Sequence, residues 1–251
     1  MSGHSKWSTI KRKKAANDAK RGAIFTRLAR EIAIAAREGG GDPEVNFTLR
    51  LAIDRAKAEN MPKDNIERAI KRGTGEDKDA AALEQILYEG YGPHGVALMI
   101  DVVTDNRNRT VAELRHTLMD AGGNMADAGS VAWQFHRAGY FYYDAEGVDP
   151  DQVFEVAVDT GADDVIVGEE EIEVYTPTEA FKLVNDALRS VGLEPDEAEL
   201  RMVPNSTLEL SPEQAVKTMR LIERIEDLDD VQNVYSNLSV TEDALELLEA
   251  A

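Results

Sequence analysis

Twelve side chains in this sequence are equipped to hold phosphate: Lys6, Trp7, Lys11, Arg12, Lys13 and Lys14 at the start, Lys20, Arg27, Arg30 and Arg37 next, and Arg107 and Arg109 further on. Lys and Arg displace the counterions condensed on nucleic acid, and an exposed Trp stacks on an unpaired base. Met1 to Arg37 holds ten Lys or Arg against two acids, about +8, whereas the whole chain carries -20. Such segregation favours an anionic partner. The competing reading is a merely solvated basic tail, and nucleic-acid contact is favoured over it because the basic residues continue onto the helix that follows. Arg107 and Arg109 lie in Thr104-Asp105-Asn106-Arg107-Asn108-Arg109-Thr110, where a strand hands over to a helix. Guanidinium forks beside a helix N-terminus suit a phosphate. Pairing of both arginines with nearby acids is an equal alternative.

Catalytic chemistry is poorly supplied. Gly90 to Gly95 matches G-x-G-x-x-G but precedes a strand and contains Pro93, so it reads as a turn. Neither a phosphate-binding loop with Gly-Lys-Ser/Thr, nor a zinc-protease H-E-x-x-H, nor a G-x-S-x-G elbow occurs. His4, His94, His116 and His136 are scattered without ligand or triad spacing, and there is no cysteine. Glu169-Glu170-Glu171 reads as a solvated hairpin tip. The expectation is a protein that is not an enzyme, with no metal, no cofactor and no small-molecule substrate.

The elements that must position these residues follow from periodicity. Ala23 to Arg37 repeats Phe25, Leu28, Ile32 and Ala36 on one face, with Lys20, Arg27, Arg30 and Arg37 opposite. A second helix starts with Asp42 as N-cap and Pro43 behind it, and a third ends near Arg72 with Gly73 as its stop. Two helices with a short turn between them are compatible with a helix-turn-helix reader, but such pairs are common in any bundle, which is the favoured reading. Beyond the polar stretch 74–82 the charge reverses to about -28 for residues 76–251. Strands are expected at Val96 to Thr104, Ser130 to Phe135, Thr207 to Leu210 and Val231 to Val240, with helices at Thr110 to Ala121 and Pro212 to Glu226. Residues 137–204 read βαββαβ on their own. The fold class is therefore α+β multidomain: a basic helical domain at 1–75, then two ferredoxin-like α/β sandwiches. The middle one is split into 76–136 and 205–251, with 137–204 inserted in it.

No apolar run approaches the roughly 20 residues of a membrane helix, and the start lacks a secretory apolar region. An organellar transit peptide is disfavoured because Lys6 to Lys14 has no apolar stripe. A reducing cytoplasm fits the missing cysteines.

The stretches GHSKW at 3–7, NMPKDNIERAI at 60–70, YEGYGP at 88–93, TDNRNRT at 104–110 and GSVAW at 129–133 resemble, in this order and spacing, the YebC family. The resemblance spans essentially the whole chain. It implies a helical N-terminal domain with two α/β domains, and no catalytic residue. His94 stands where many members have Gly. The family implies a cytoplasmic DNA-binding transcriptional regulator. Alternatively it implies a ribosome-associated translation factor that relieves stalling at difficult, including proline-rich, sequences, with ribosomal or transfer RNA against the basic head and basic ribosomal proteins against the acidic body. A chain charged to about -28 beyond residue 75 leaves little room for a broad duplex footprint.

Overall fold

A computed structural model describes Trp7, residues 18–77 and residues 81–250, the side chains of 18–21 excepted. Helices α1 (Asp18–Gly39), α2 (Phe47–Ala58) and α3 (Lys63–Thr74) come first. Strands β1 (Glu84–Tyr91) and β2 (Ala97–Thr104), helix α4 (Arg107–Asp120) and the short strand β3 (Asn124–Met125) follow. Next come β4 (Phe135–Asp144), α5 (Pro150–Asp159), β5 (Asp164–Val167), β6 (Glu171–Thr176), α6 (Phe181–Ser190) and β7 (Glu197–Pro204). Helix α7 (Pro212–Glu226), strand β8 (Val231–Ser236) and helix α8 (Glu242–Glu249) close the chain.

Helix α1 is the axis of the helical part. Leu28, Ile32, Ala35 and Ala36 pack on Leu49, Ala52, Ile53 and Ala56 of α2 and on Ile66 and Ala69 of α3. The opposite side, expected from the sequence to face outward, is also covered: Ala33 and Ile34 cluster with Leu83 and Val103. All five residues Ile32 to Ala36 are buried, more than a full turn, so this stretch has no solvent face.

Two helix boundaries differ from expectation. Asp42 and Pro43 form a turn, and Asn46 is the cap of α2: its Oδ1 accepts from Leu49 N at 3.1 Å while its Nδ2 donates to Ala35 O and Gly40 O. One buried amide thus serves the end of α1 and the start of α2 together. Helix α3 runs through Gly73 and stops at Gly75, whose φ of 77° is left-handed. Gly73 is there for closeness, since a Cβ on it would lie 2.2 Å from Ala33 O and 2.8 Å from Ala36 Cβ. Gly to Ala inside an ordinary helix gains up to about 1 kcal/mol. Here Gly73→Ala is expected to lose about 1–3 kcal/mol through overpacking, read as a lower urea midpoint. A raised midpoint would show that α1 and α3 can move apart freely.

The chain divides into two compact units, one containing residues 3–134 and 206–251 and the other residues 135–205. In the first, the sheet order is β3-β1-β2-β8 with antiparallel pairs. The strands lie side by side as in a ferredoxin-like sandwich, but the connectivity differs from expectation. Glu84–Tyr91, not read as a strand from sequence, fills the position assigned to Thr207–Leu210, which contributes only an isolated bridge from Leu208 to Leu238. Helix α8 was also not expected, and its Ala244, Leu245 and Leu248 join the core. The turn between β1 and β2 holds His94 at φ 61°, a left-handed conformation that Gly adopts at no steric cost. In the second unit the order β5-β6-β4-β7 is the ferredoxin-like arrangement expected for the inserted segment. Phe141 of β4 stacks on Phe181 of α6 at 4.9 Å between centroids.

Candidate nucleic-acid interface

The basic stripe of α1 is turned onto the α/β part of its own unit. Arg27 Nη2 donates to Glu226 O at 2.8 Å, a carbonyl of the last turn of α7. Arg37 donates to Leu83 O, and Arg30 donates to Asp229 O and pairs with the Asp230 carboxylate at 3.0 Å. The end of α7 with Asp229 and Asp230 makes a negative pole for Arg27 and Arg30, and the Leu83 carbonyl takes Arg37, so these three arginines are engaged within the molecule rather than arrayed free along one face as the sequence suggested.

Asp230, with a side chain 1% exposed, is the centre of this network. Arg109 Nη2 donates to both its oxygens at 2.9 and 2.8 Å, and the Thr104 and Thr110 hydroxyls donate at 3.0 and 2.6 Å. The backbone fixes these donors. Strand β2 ends at Thr104, and Asn106 caps α4 by accepting from Arg109 N, so one turn brings Thr104, Arg109 and Thr110 to the same point. Val103 N donates to Asp230 O, which docks the loop before β8 against β2. Burial pushes the Asp230 carboxyl up, but the hydrogen bonds from Thr110, Arg109 and Thr104 and the charge of Arg30 outweigh it and hold it below the ordinary carboxylate range. Of the two readings of TDNRNRT, Arg109 therefore follows internal pairing. Arg107 stays at the surface, 63% exposed and 3.8 Å from Glu84.

Trp7, expected to stack on a base, is instead 3% exposed in the core of the split sandwich, and its Nε1 donates to Glu223 of α7 at 3.3 Å. An indole offers more apolar area to a core than a tail can leave in water, so burial wins over display. Lys6, Lys11, Arg12, Lys13 and Lys14 lie outside the described residues, as does the side chain of Lys20.

A second buried carboxylate ties together the stretches YEGYGP and GSVAW. Glu89 of β1 accepts from Gly129 N at 2.7 Å, Val131 N at 2.6 Å and Ala132 N at 3.0 Å. Burial raises its pKa, but these amides together lower it by more, so the net is below the usual value. Successive N–H groups aimed at one anion cannot alternate as a strand requires, so residues 130–134 of the expected strand Ser130 to Phe135 form a loop with a short 3-10 turn, and pairing starts only at Phe135 with β4. The loop presents Trp133 at 72% exposure, its Nε1 donating to Ser130 O.

The outward cations of the helical part are residues that sequence reasoning did not select. Lys57 on α2 and Lys63, Arg68 and Lys71 on α3 are all exposed. Lys57 and Lys63 make only surface pairs, with Asp54 at 3.6 Å and Glu67 at 3.5 Å, which are worth little and yield to a phosphate. Arg68 and Lys71 are not ion-paired among the described residues. Their signal in the sequence was the position opposite Ile66 and Ala69 on the helical wheel.

Profiles of known families match nearly the whole sequence: the "TACO1/YebC protein N-terminal domain" over residues 5–76 and the "TACO1/YebC second and third domain" over residues 83–238. The chain belongs to the TACO1/YebC family. A relative from Trichlorobacter lovleyi is 53% identical over 246 residues, covering 98% of this chain and 99% of its own. One from Acidithiobacillus ferrooxidans is 54% identical, covering 100% and 99%. Both bear the name probable transcriptional regulatory protein. The crystal structure of a conserved hypothetical protein from Aquifex aeolicus is similar with a TM-score of 0.83 and 43% identity, covering 90% of this chain and 93% of that one. The shared architecture of the TACO1/YebC family is thus a helical N-terminal region followed by α/β domains. Among the described residues no helix is long and apolar enough to cross a membrane.

Proposed function

We propose that this protein is a non-enzymatic regulator of gene expression that binds nucleic acid through the outward face of α2 and α3 together with the basic run at 6–14. The observation that carries the reading is the division of charge. About +8 lies in residues 1–75 and about -28 in the rest, and the exposed cations of α2 and α3 are left without strong internal partners while those of α1 are consumed. The names of the relatives support transcriptional regulation, a reading that takes duplex DNA as the target. A second reading is a translation factor on ribosomal or transfer RNA, and the acidic body favours it. Such a body repels a long duplex and is attracted to basic ribosomal proteins.

Lys63→Ala, Arg68→Ala and Lys71→Ala, combined in the full chain, are expected to make the slope of log affinity against log salt shallower by about 0.9 per contact on duplex DNA and about 0.7 on single-stranded RNA. Fluorescence anisotropy with a labelled duplex and a labelled RNA stem-loop measures both. Unchanged affinity and slope in a folded triple variant would remove α3 from the interface, and whichever probe wild type binds more tightly at matched salt decides between the two targets.

A further inference from the structure

The acidic body is not uniformly acidic. Residues 76–251 contain eleven Lys or Arg, and six of them lie on only two helices: Arg107, Arg109 and Arg115 on α4, and Lys217, Arg220 and Arg224 on α7. The same two helices carry five acids, whereas the rest of that segment carries five bases against thirty-four acids. Helices α4 and α7 are therefore near-neutral where the rest of the segment, α8 included, is strongly anionic.

A groove of about 370 Å³ opens between the end of α4 and α7, with Val216 and Leu221 as apolar lining and Lys217, Arg220 and Arg224 as its cations. The two carboxylates that line it are already engaged. Asp120 accepts from Arg224 at 2.7 Å, which holds its carboxyl below the usual range, and Glu213 accepts from Ser211 Oγ at 2.9 Å. Lys217 and Arg220 are exposed, one turn apart on the same face, and not ion-paired among the described residues. Two cations on adjacent turns, with Cβ atoms about 5–6 Å apart, suit a run of phosphate oxygens better than a lone carboxylate. Glu223, which holds the Trp7 indole, lies on α7 between Arg220 and Arg224 in sequence, so Trp7 is anchored on the same helix.

We infer that the groove between α4 and α7 is a second nucleic-acid contact, in which Lys217 and Arg220 bind the phosphodiester backbone of the strand held by the helical part. The inference rests on the reading of the protein as a nucleic-acid binder and adds to it a site on the acidic body. An acidic protein segment is the competing occupant, disfavoured because the segment outside α4 and α7, with thirty-four acids against five bases, would repel it.

Full-length protein carrying Lys217→Glu and Arg220→Glu is titrated with a labelled single-stranded RNA and with a labelled DNA duplex, and Lys63→Ala/Arg68→Ala/Lys71→Ala serves as the comparison. The expected result is affinity weaker by about tenfold or more for at least one probe, with a salt slope shallower by about 1.4 on RNA. The probe most affected identifies the source of the phosphate backbone. Lys217→Gln with Arg220→Gln repeats the test without new negative charge, and an unchanged thermal midpoint confirms folding. Wild-type affinity in the folded α7 variants, alongside a loss in the α3 variant, overturns the groove alone. No binding of either probe by wild type overturns both readings. Competition for the groove by polyglutamate but not by unlabelled RNA assigns it to an acidic protein and also overturns the inference.

Discussion

Replacing Asp230 with Ala is expected to destabilise the fold by about 3–5 kcal/mol, the range for removing one partner of a buried ion pair. The substitution would leave Arg30, 3.0 Å from the carboxylate, without its ion-pair partner and the Thr104 and Thr110 hydroxyls without their shared acceptor. It would also loosen the helical part from the sheet, because Arg30 lies on α1 while Thr104 and Arg109 belong to β2 and α4. Urea unfolding of wild type and Asp230→Ala measures the loss. Its pH dependence has a definite sign. Asp230 is held below its ordinary pKa in the fold, so its contribution is fully present above the unfolded value of about 3.9 and disappears as pH falls through the lower folded value. The wild-type and variant curves should therefore start to converge below about pH 4 and go on doing so down to the lower folded value. A variant that matches wild type at pH 7 would show that the network is a surface ornament.

Trp7→Ala is expected to cost about 3–5 kcal/mol as well, the range for emptying a large aromatic site in a core. The loss should appear in the unfolding midpoint and not as selective weakening on RNA. Trp7→Phe, which keeps most of the ring and gives up the bond to Glu223, should recover most of that stability. Loss of RNA affinity in a fully stable Trp7→Ala would restore base stacking as the role of this residue. Trp133, exposed on the loop fixed by Glu89, is the indole on view.

These two residues also mark how far the sequence could be read. The three helices, the inserted βαββαβ order and the charge division follow from local periodicity and composition, so they are legible without tertiary information. The partners of Arg27, Arg30 and Arg37 are not, because a basic stripe has the same spacing whether it faces phosphate or the carbonyls at the end of α7. Asp230 stands in Glu226-Asp227-Leu228-Asp229-Asp230, where it looks like one of several solvated acids, and only the pairing of β8 with β2 sets it among its donors. Strand β1 escaped notice because Leu87 lies outward among Ile86 and Tyr88 and blurs the alternation. Asn46 displaced Asp42 as the cap since its amide also reaches the end of α1, a gain invisible in a helix-by-helix reading.

The central claim, that this family member contacts a phosphate backbone through a small set of outward cations while its other arginines brace the fold, meets its most direct test in one titration. Affinity of the full chain for labelled duplex DNA and for labelled structured RNA is followed from about 50 to 200 mM salt. With Lys57, Lys63, Arg68 and Lys71 in contact, log affinity should fall linearly with log salt with a slope at least as steep as about -2.8 on the preferred probe. Binding that is independent of salt, or no binding to either probe at the lowest salt, would contradict the account.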